Sequence, residues 1–312
     1  MRRPHALLVA FLAAPPAWLA TVIAPPPLAA QAAGKAANAS GAQEDLARGD
    51  AAWLRRAEGH QGGRAQPAPV GEAIAAYEAA LKADPGSLDA YWKLLRGYHF
   101  RGEYVAQTRE AKQAAFGRGR EVAEAGIDRL AGATPGAGAR ARLDRMTPQE
   151  AARALSAVEQ AKAILLWGAV DWGLWGDAFG RLAAARQGVG DRVRRYGELV
   201  LAIDDRFESA GAHRLLGRLH ALAPKVPFIT GWVDRDKAIS ELERAVALGP
   251  ADPTNDLYLA EAILDYRPAR KAEATAILRR LAARQPSPER VVEESKVLEE
   301  ARALLGRQGA SG

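Results

Sequence analysis

The sequence predicts an all-α protein, a solenoid of stacked helical repeats with no sheet. Three observations carry this. Alanine, leucine, glutamate and arginine dominate, while aromatic residues make up only 6% of the 312, so helix propensity outweighs strand propensity along nearly the whole chain. Hydrophobic residues at 48% and charged residues at 26% are enough to bury a core and exclude wholesale disorder. Small and large apolar residues also recur at a spacing close to that of a two-helix unit, with prolines ending the units.

The chain opens with Arg2 and Arg3, an apolar stretch over 6–24 broken by Pro15 and Pro16, and an Ala30-Gln31-Ala32 site. This order reads as a cleavable secretory signal peptide over 1–32, and it places the protein in the periplasm. The proline pair and the run Pro25 to Pro27 disfavour a retained spanning helix. Cleavage would leave 41 basic against 37 acidic residues, a balance without the concentrated basic footprint of a nucleic-acid binder. The absence of cysteine excludes disulfides, thiolate metal sites and a lipidated N-terminal cysteine, so the protein is not expected to be a lipoprotein. Residues 33–49, rich in Ala, Gly, Gln, Asn and Ser, read as a flexible linker. The helical domain is expected over 50–305, with a disordered tail over 306–312.

The repeats carry the strongest signal. In residues 71–85, Ala73, Tyr77, Ala80 and Pro85 take the second-helix positions of the tetratricopeptide pattern. Tyr91, Leu94, Tyr98, Gly102 and Tyr104 then take first-helix and turn positions. The signature returns with Leu216, Gly217 and His220, and with Ala238, Leu242, Ala245 and Pro250. It returns again with Leu259, Ala260 and Ile263, and with Ala274, Leu278, Leu281 and Pro286. Small residues let paired helices approach, larger ones fill the gaps between them, and the residue before each proline leaves the α region. Units of this kind stack into a tetratricopeptide-like solenoid whose concave face more often binds peptides or proteins than catalyses.

Two segments depart from the repeat. Over 147–200, Thr147-Pro148-Gln149-Glu150 makes a capped helix start, and three of the seven tryptophans, Trp167, Trp172 and Trp175, follow. Residues 224–233 form an apolar connection holding Phe228 and Trp232 where a few polar residues would suffice. Each has a packing reading and a binding reading. On the binding reading, Trp172, Trp175, Phe228 and Trp232 are the partner- or ligand-binding residues and face a shared space.

The run from Asp89 to Glu103, residues 115–127, the Trp-rich helices, residues 211–220 and residues 237–250 together resemble the T component of tripartite ATP-independent periplasmic (TRAP) transporters. The resemblance covers roughly 50–281. It implies an exported helical-repeat protein that contacts the periplasmic solute-binding subunit and holds an apolar ligand in a cavity. The chain departs from it in lacking a cysteine to lipidate. The alternative expectation is a general cell-envelope scaffold for protein–protein assembly, and self-association into a homo-oligomer is compatible with either.

No nucleotide-binding glycine loop, nucleophile elbow or paired-histidine zinc motif is present. His60, His99 and His220 fall on packing positions, and His213 and His220 lie two helical turns apart, about 10 Å, too far for joint metal ligation. No enzymatic role, metal or cofactor is expected.

Overall fold

The computed structural model describes the backbone of residues 28–226 and 230–309, and side chains from Asn38 onward. The described residues hold fourteen α-helices and no strand. The chain divides into Met1–Ala37 and a compact body from Asn38 onward, which is described here. In order the helices are α1 (Leu28–Leu54), α2 (Pro67–Ala83), α3 (Leu88–Phe100), α4 (Arg109–Ala133), α5 (Arg140–Leu143), α6 (Pro148–Leu155) and α7 (Ala161–Phe179). There follow α8 (Arg181–Arg186), α9 (Val189–Ile203), α10 (Phe207–Leu222), α11 (Arg235–Leu248), α12 (Pro253–Tyr266), α13 (Lys271–Ala283) and α14 (Val291–Gly309).

Local chemistry accounts for the boundaries. Ser87, Thr108, Asp234 and Asp252 cap α3, α4, α11 and α12 with their side chains, satisfying backbone N–H groups that have no partner within the helix. Thr147 and Glu150 form the expected reciprocal capping box at α6. The repeat positions read from sequence fall on α2, α3 and α10 to α13, and their small residues are where helices touch. A Cβ on Gly217 would lie 2.6 Å from Leu242 Cγ, and one on Gly97 would lie 3.0 Å from Ile74.

Two expectations are corrected. Residues 33–49 are helical within α1 and not a linker. Alanine favours helix even where glycine and asparagine interrupt it, and Ala42, Leu46 and Gly49 are buried along one face. Gly49 has no room for a side chain, since a Cβ there would lie 2.3 Å from the Tyr77 ring. At the other end α14 continues to Gly309, so the tail does not begin at 306, and Thr275 Oγ1 donates to Gln308 Oε1 at 2.8 Å. Of the expected leader over residues 1–32, residues 1–27 lie outside the described residues; Ala30-Gln31-Ala32 falls within α1.

Consecutive helices pack on one another from α2 to α4 and from α9 to α14, and α7 bridges α4 and α9. Two apolar cores result. The first runs from α1 to α9 and contains Tyr77, Phe100, Phe116 and Trp172; the second lies between α10 and α14 and its buried members are all Ala, Ile, Leu or Val. Helix α14 joins them, because Val292 belongs to the first core while Leu298 and Ala301 belong to the second.

The same helix also returns to the beginning of the body. Arg56 donates to Glu293 Oε1 at 3.0 Å and to the Glu289 carbonyl at 2.6 Å. Lys296 Nζ donates to Glu103 Oε2 at 2.6 Å, and Gly63 N–H donates to Glu299 at 2.9 Å. Gly63 allows the close approach, because a Cβ there would meet the Lys296 backbone at 2.7 Å.

The start of α10 holds a backbone exception. Glu208, Ser209 and Ala210 are left-handed, with φ of 50°, 53° and 61°, each at a cost of about 1–2 kcal/mol for an L-residue. Buried Asn255 braces this turn: its side-chain amide donates to the carbonyls of Ser209 at 3.1 Å, Ala245 at 3.0 Å and Gly249 at 2.8 Å.

Candidate functional site

Trp172 and Trp175 sit in the first core, 1% and 8% exposed. Their rings meet edge to face at 5.7 Å, and Trp175 stacks on Phe179 at 4.8 Å. The Arg120 guanidinium covers both rings, and Arg192 covers Trp172 at 4.8 Å. Trp172 Nε1 donates to Glu124 at 2.9 Å, and the same carboxylate accepts from Arg140 at 2.9 Å and Arg192 at 3.2 Å. Burial alone would raise the Glu124 pKa, but the two arginines and the indole outweigh it and hold it below the usual range. The binding expectation for these two tryptophans is therefore corrected to packing: almost none of their surface is left for a partner.

Trp232 is half-buried elsewhere. Its Nε1 donates to Asp191 at 3.0 Å, Arg194 covers its ring at 4.8 Å, and His220 meets it edge to face at 5.5 Å. On α9, Arg192 faces Trp172 while Gly190, Asp191 and Arg194 face Trp232, so the helix stands between them. The expected shared space does not form. Phe228 lies outside the described residues.

The structure instead gathers half-buried aromatic and cationic side chains from α1, α3, α7, α10, α12 and α14 into one recessed cluster. Trp92, Arg96 and His99 lie one turn apart on α3. The Arg96 guanidinium is sandwiched between Trp53 at 4.1 Å and Trp92 at 4.7 Å, a geometry in which the π faces stabilise the cation. Among the described residues no carboxylate pairs with Arg96 within 4 Å, and its Nε has no hydrogen-bond partner. His99 packs on Trp167 at 5.2 Å and Tyr104 at 6.0 Å.

A π-helical turn, Arg101–Val105, continues α3 and places Glu103 and Tyr104 beside α14. Lys296 sits over the Tyr104 ring at 5.2 Å, and across the recess Arg218 sits over Tyr258 at 4.2 Å while pairing with Glu261. His99, Tyr104 and Tyr258 are half-buried, and desolvation is the largest influence on the ionisation of each.

The electrostatics of the recess follow from enclosure. Desolvation pushes His99 down to about 4 against the pull of Glu103, so its imidazole is neutral at pH 7. Burial raises the Tyr104 and Tyr258 phenols, which stay protonated. Burial would raise Glu103, but Lys296 outweighs it and holds its carboxyl below the usual range, so the fixed charges are of both signs, Lys296 and Arg218 against Glu103 and Glu261, and the uncharged groups are aromatic.

Asp171 is a different kind of buried group. It is wholly buried on α7, neither oxygen has a partner, and burial raises its pKa well above the usual value. A Cβ on Gly119 would lie 2.6 Å from its Cγ, so α4 seals it from solvent. Among the described residues no cluster of three metal-ligating side chains occurs, and no helix is long and apolar enough to cross a membrane.

Sequence reading missed the recess because its members, from Trp53 to Lys296, are spread over 243 residues of the chain and each looks like repeat packing alone. The spacing of Trp92, Arg96 and His99 was the one local signal of a mixed aromatic and cationic face. Neither the protein-family models nor the curated proteins include a match to this chain.

Proposed function

We propose that this protein is an exported tetratricopeptide-like binding protein, the accessory T-type component of a TRAP solute transporter. It contacts the transporter's solute-binding subunit and accepts an apolar ligand in the recess between α3, α7, α10, α12 and α14. The observation that supports this most is the recess itself, where Trp92, Arg96, His99, Trp167 and Tyr258 supply an aromatic wall that helix pairing alone does not require. Large aromatic and arginine side chains at desolvated contact centres carry a disproportionate share of binding energy. Among the described residues no catalytic constellation accompanies them.

A second reading, a cell-envelope scaffold for protein assembly, draws on the cationic side of the same wall, where Arg96 lacks a carboxylate and Arg214 and Arg290 share Asp252. A calorimetric titration with the solute-binding subunit separates the two. Complex formation that weakens by about tenfold or more in Trp92→Ala and Arg96→Ala supports the transporter role. Absence of a complex, with envelope proteins of other classes recovered on the same bait, replaces it with the scaffold.

A further inference from the structure

A cavity lies beside the π-helical turn, with Arg101 and Val105 of that turn in its wall. It has a volume of about 440 Å³ and is lined by Gln61, Arg64, Gln66, Arg101, Gln107 and Thr108, with no carboxylate in its wall. The volume falls within the range of small-molecule sites. Arg64 and Arg101 are both exposed, and neither guanidinium has an ion pair, hydrogen bond or ring contact among the described residues. That sets them apart from Arg96, Arg120, Arg192 and Arg218, each of which lies against an aromatic ring.

The cavity wall is well supported. Gln61 and Arg64 exchange backbone hydrogen bonds at 2.8 and 3.1 Å across a tight turn. Gly63 N–H is held by Glu299 and Ala65 N–H by the Tyr104 carbonyl at 2.9 Å, while Gln66 Nε2 donates to the Gly59 carbonyl at 3.0 Å. Arg101 stands on the π-helical turn itself. The backbones carrying the two arginines are thus fixed relative to each other.

Nearby charge reinforces them. Arg109 and Lys112 lie in the adjoining first turn of α4 without an ion pair within 4 Å, whereas Glu103 and Glu299 are engaged by Lys296 and Gly63; Glu110 is the one acid in that turn. The starts of α2 and α4 also open on this space and add partial positive charge.

We propose that this cavity binds a phosphate monoester, with Arg64 and Arg101 as paired anchors and the amides of Gln61 and Gln107 as neutral donors. Two guanidinium forks present more N–H donors than the two oxygens and single charge of a carboxylate can use, while a phosphate monoester offers three terminal oxygens and close to two charges. The volume beyond the anchors accommodates an organic body. This site is separate from the recess, and it does not depend on the transporter reading.

The test uses the full mature chain at low ionic strength. Isothermal titration with inorganic phosphate and with glycerol 3-phosphate, and co-sedimentation with phosphatidic acid vesicles against phosphatidylcholine vesicles, distinguish a free metabolite from a lipid headgroup. Saturable binding of the free phosphates assigns a metabolite. Binding to phosphatidic acid vesicles alone assigns a headgroup.

In either case Arg64→Ala with Arg101→Ala should lower affinity by about tenfold or more, and Arg142→Ala with Arg279→Ala should leave it unchanged. Both anchor side chains are exposed, so circular dichroism should show the double variant folded. No saturable binding in any arm, or equal loss in both double variants, overturns the proposal.

Discussion

The two cores solve the same packing problem differently. Between α10 and α14 the helices are 13 to 19 residues long and meet through alanine, glycine and branched aliphatic side chains, as a repeat built on close approach requires. From α1 to α9 the helices reach 27 residues, rings fill the interior, a half-buried polar hub at Glu124 borders them and a solitary carboxyl at Asp171 is buried with them. The repeat-like region gains stability through many small contacts. The Trp-rich region concentrates it in a few large ones, and single substitutions there should be felt more.

The comparison breaks most directly at Trp172. Trp172→Ala should cost about 3–5 kcal/mol in urea denaturation, near the top of the range for core truncations, because it empties a ring-sized volume and leaves Glu124 with one donor fewer. Leu242→Ala in the second core should cost about 2–3 kcal/mol, since alanine-rich surroundings can close on a smaller gap. If Leu242→Ala proves the costlier, the contrast between concentrated and distributed packing is wrong.

The cores should also respond to pH in opposite directions. Burial would raise Asp252, but Arg214 and Arg290 outweigh it and hold its carboxyl at about 2. Its contribution, about 2–3 kcal/mol, is fully present above an unfolded pKa of about 4 and is lost as pH falls toward about 2. Asp171 has its pKa raised by burial, so the folded state keeps a proton that the unfolded chain releases; stability is highest below about pH 4 and falls as pH rises through and beyond that value. Asp171→Asn should flatten the decline toward neutral pH, and Asp252→Asn should remove the acid-side loss. Denaturation midpoints from pH 2 to 7 check both signs.

The smallest effect is expected at the braced turn between the cores. Ser209→Gly should stabilise the protein by about 1 kcal/mol, because glycine adopts the left-handed conformation at Ser209 without the Cβ penalty. An unchanged or lower melting temperature would mean that the brace from Asn255 depends on the serine side chain.

Much of this architecture was legible where local chemistry decides it. Ala73, Tyr77 and Ala80 mark α2, Gly217 and Leu242 mark a helix contact, and Thr147 with Glu150 marks a helix start, because each interaction is confined to neighbouring turns or to a repeated spacing. Residues 33–49 were misread because alanine-rich segments with interspersed glycine resemble linkers, and the burial of Leu46 depends on Tyr77 and its neighbours, which composition does not reveal. The tryptophans were visible as a cluster, but whether a ring faces solvent or Glu124 is decided by α4 and α9 wrapping around it. The recess was the least legible feature, since Arg96 and Tyr258 stand on helices far apart in the chain and α14 reaches the π-helical turn through Lys296.

The return of α14 to Arg56, Gly63 and Glu103 changes how such a body should come apart. An open row of helices coupled only to their neighbours frays from its two ends, losing the outermost units first. Here the two ends of the described body hold each other through that seam, so neither end of the body is a free edge from which melting can start. Fraying from either end must first break contacts along the seam, hydrogen bonds and ion pairs beside the buried Val292. A chain of modest pairwise contacts thereby acquires the cooperativity of a single unit.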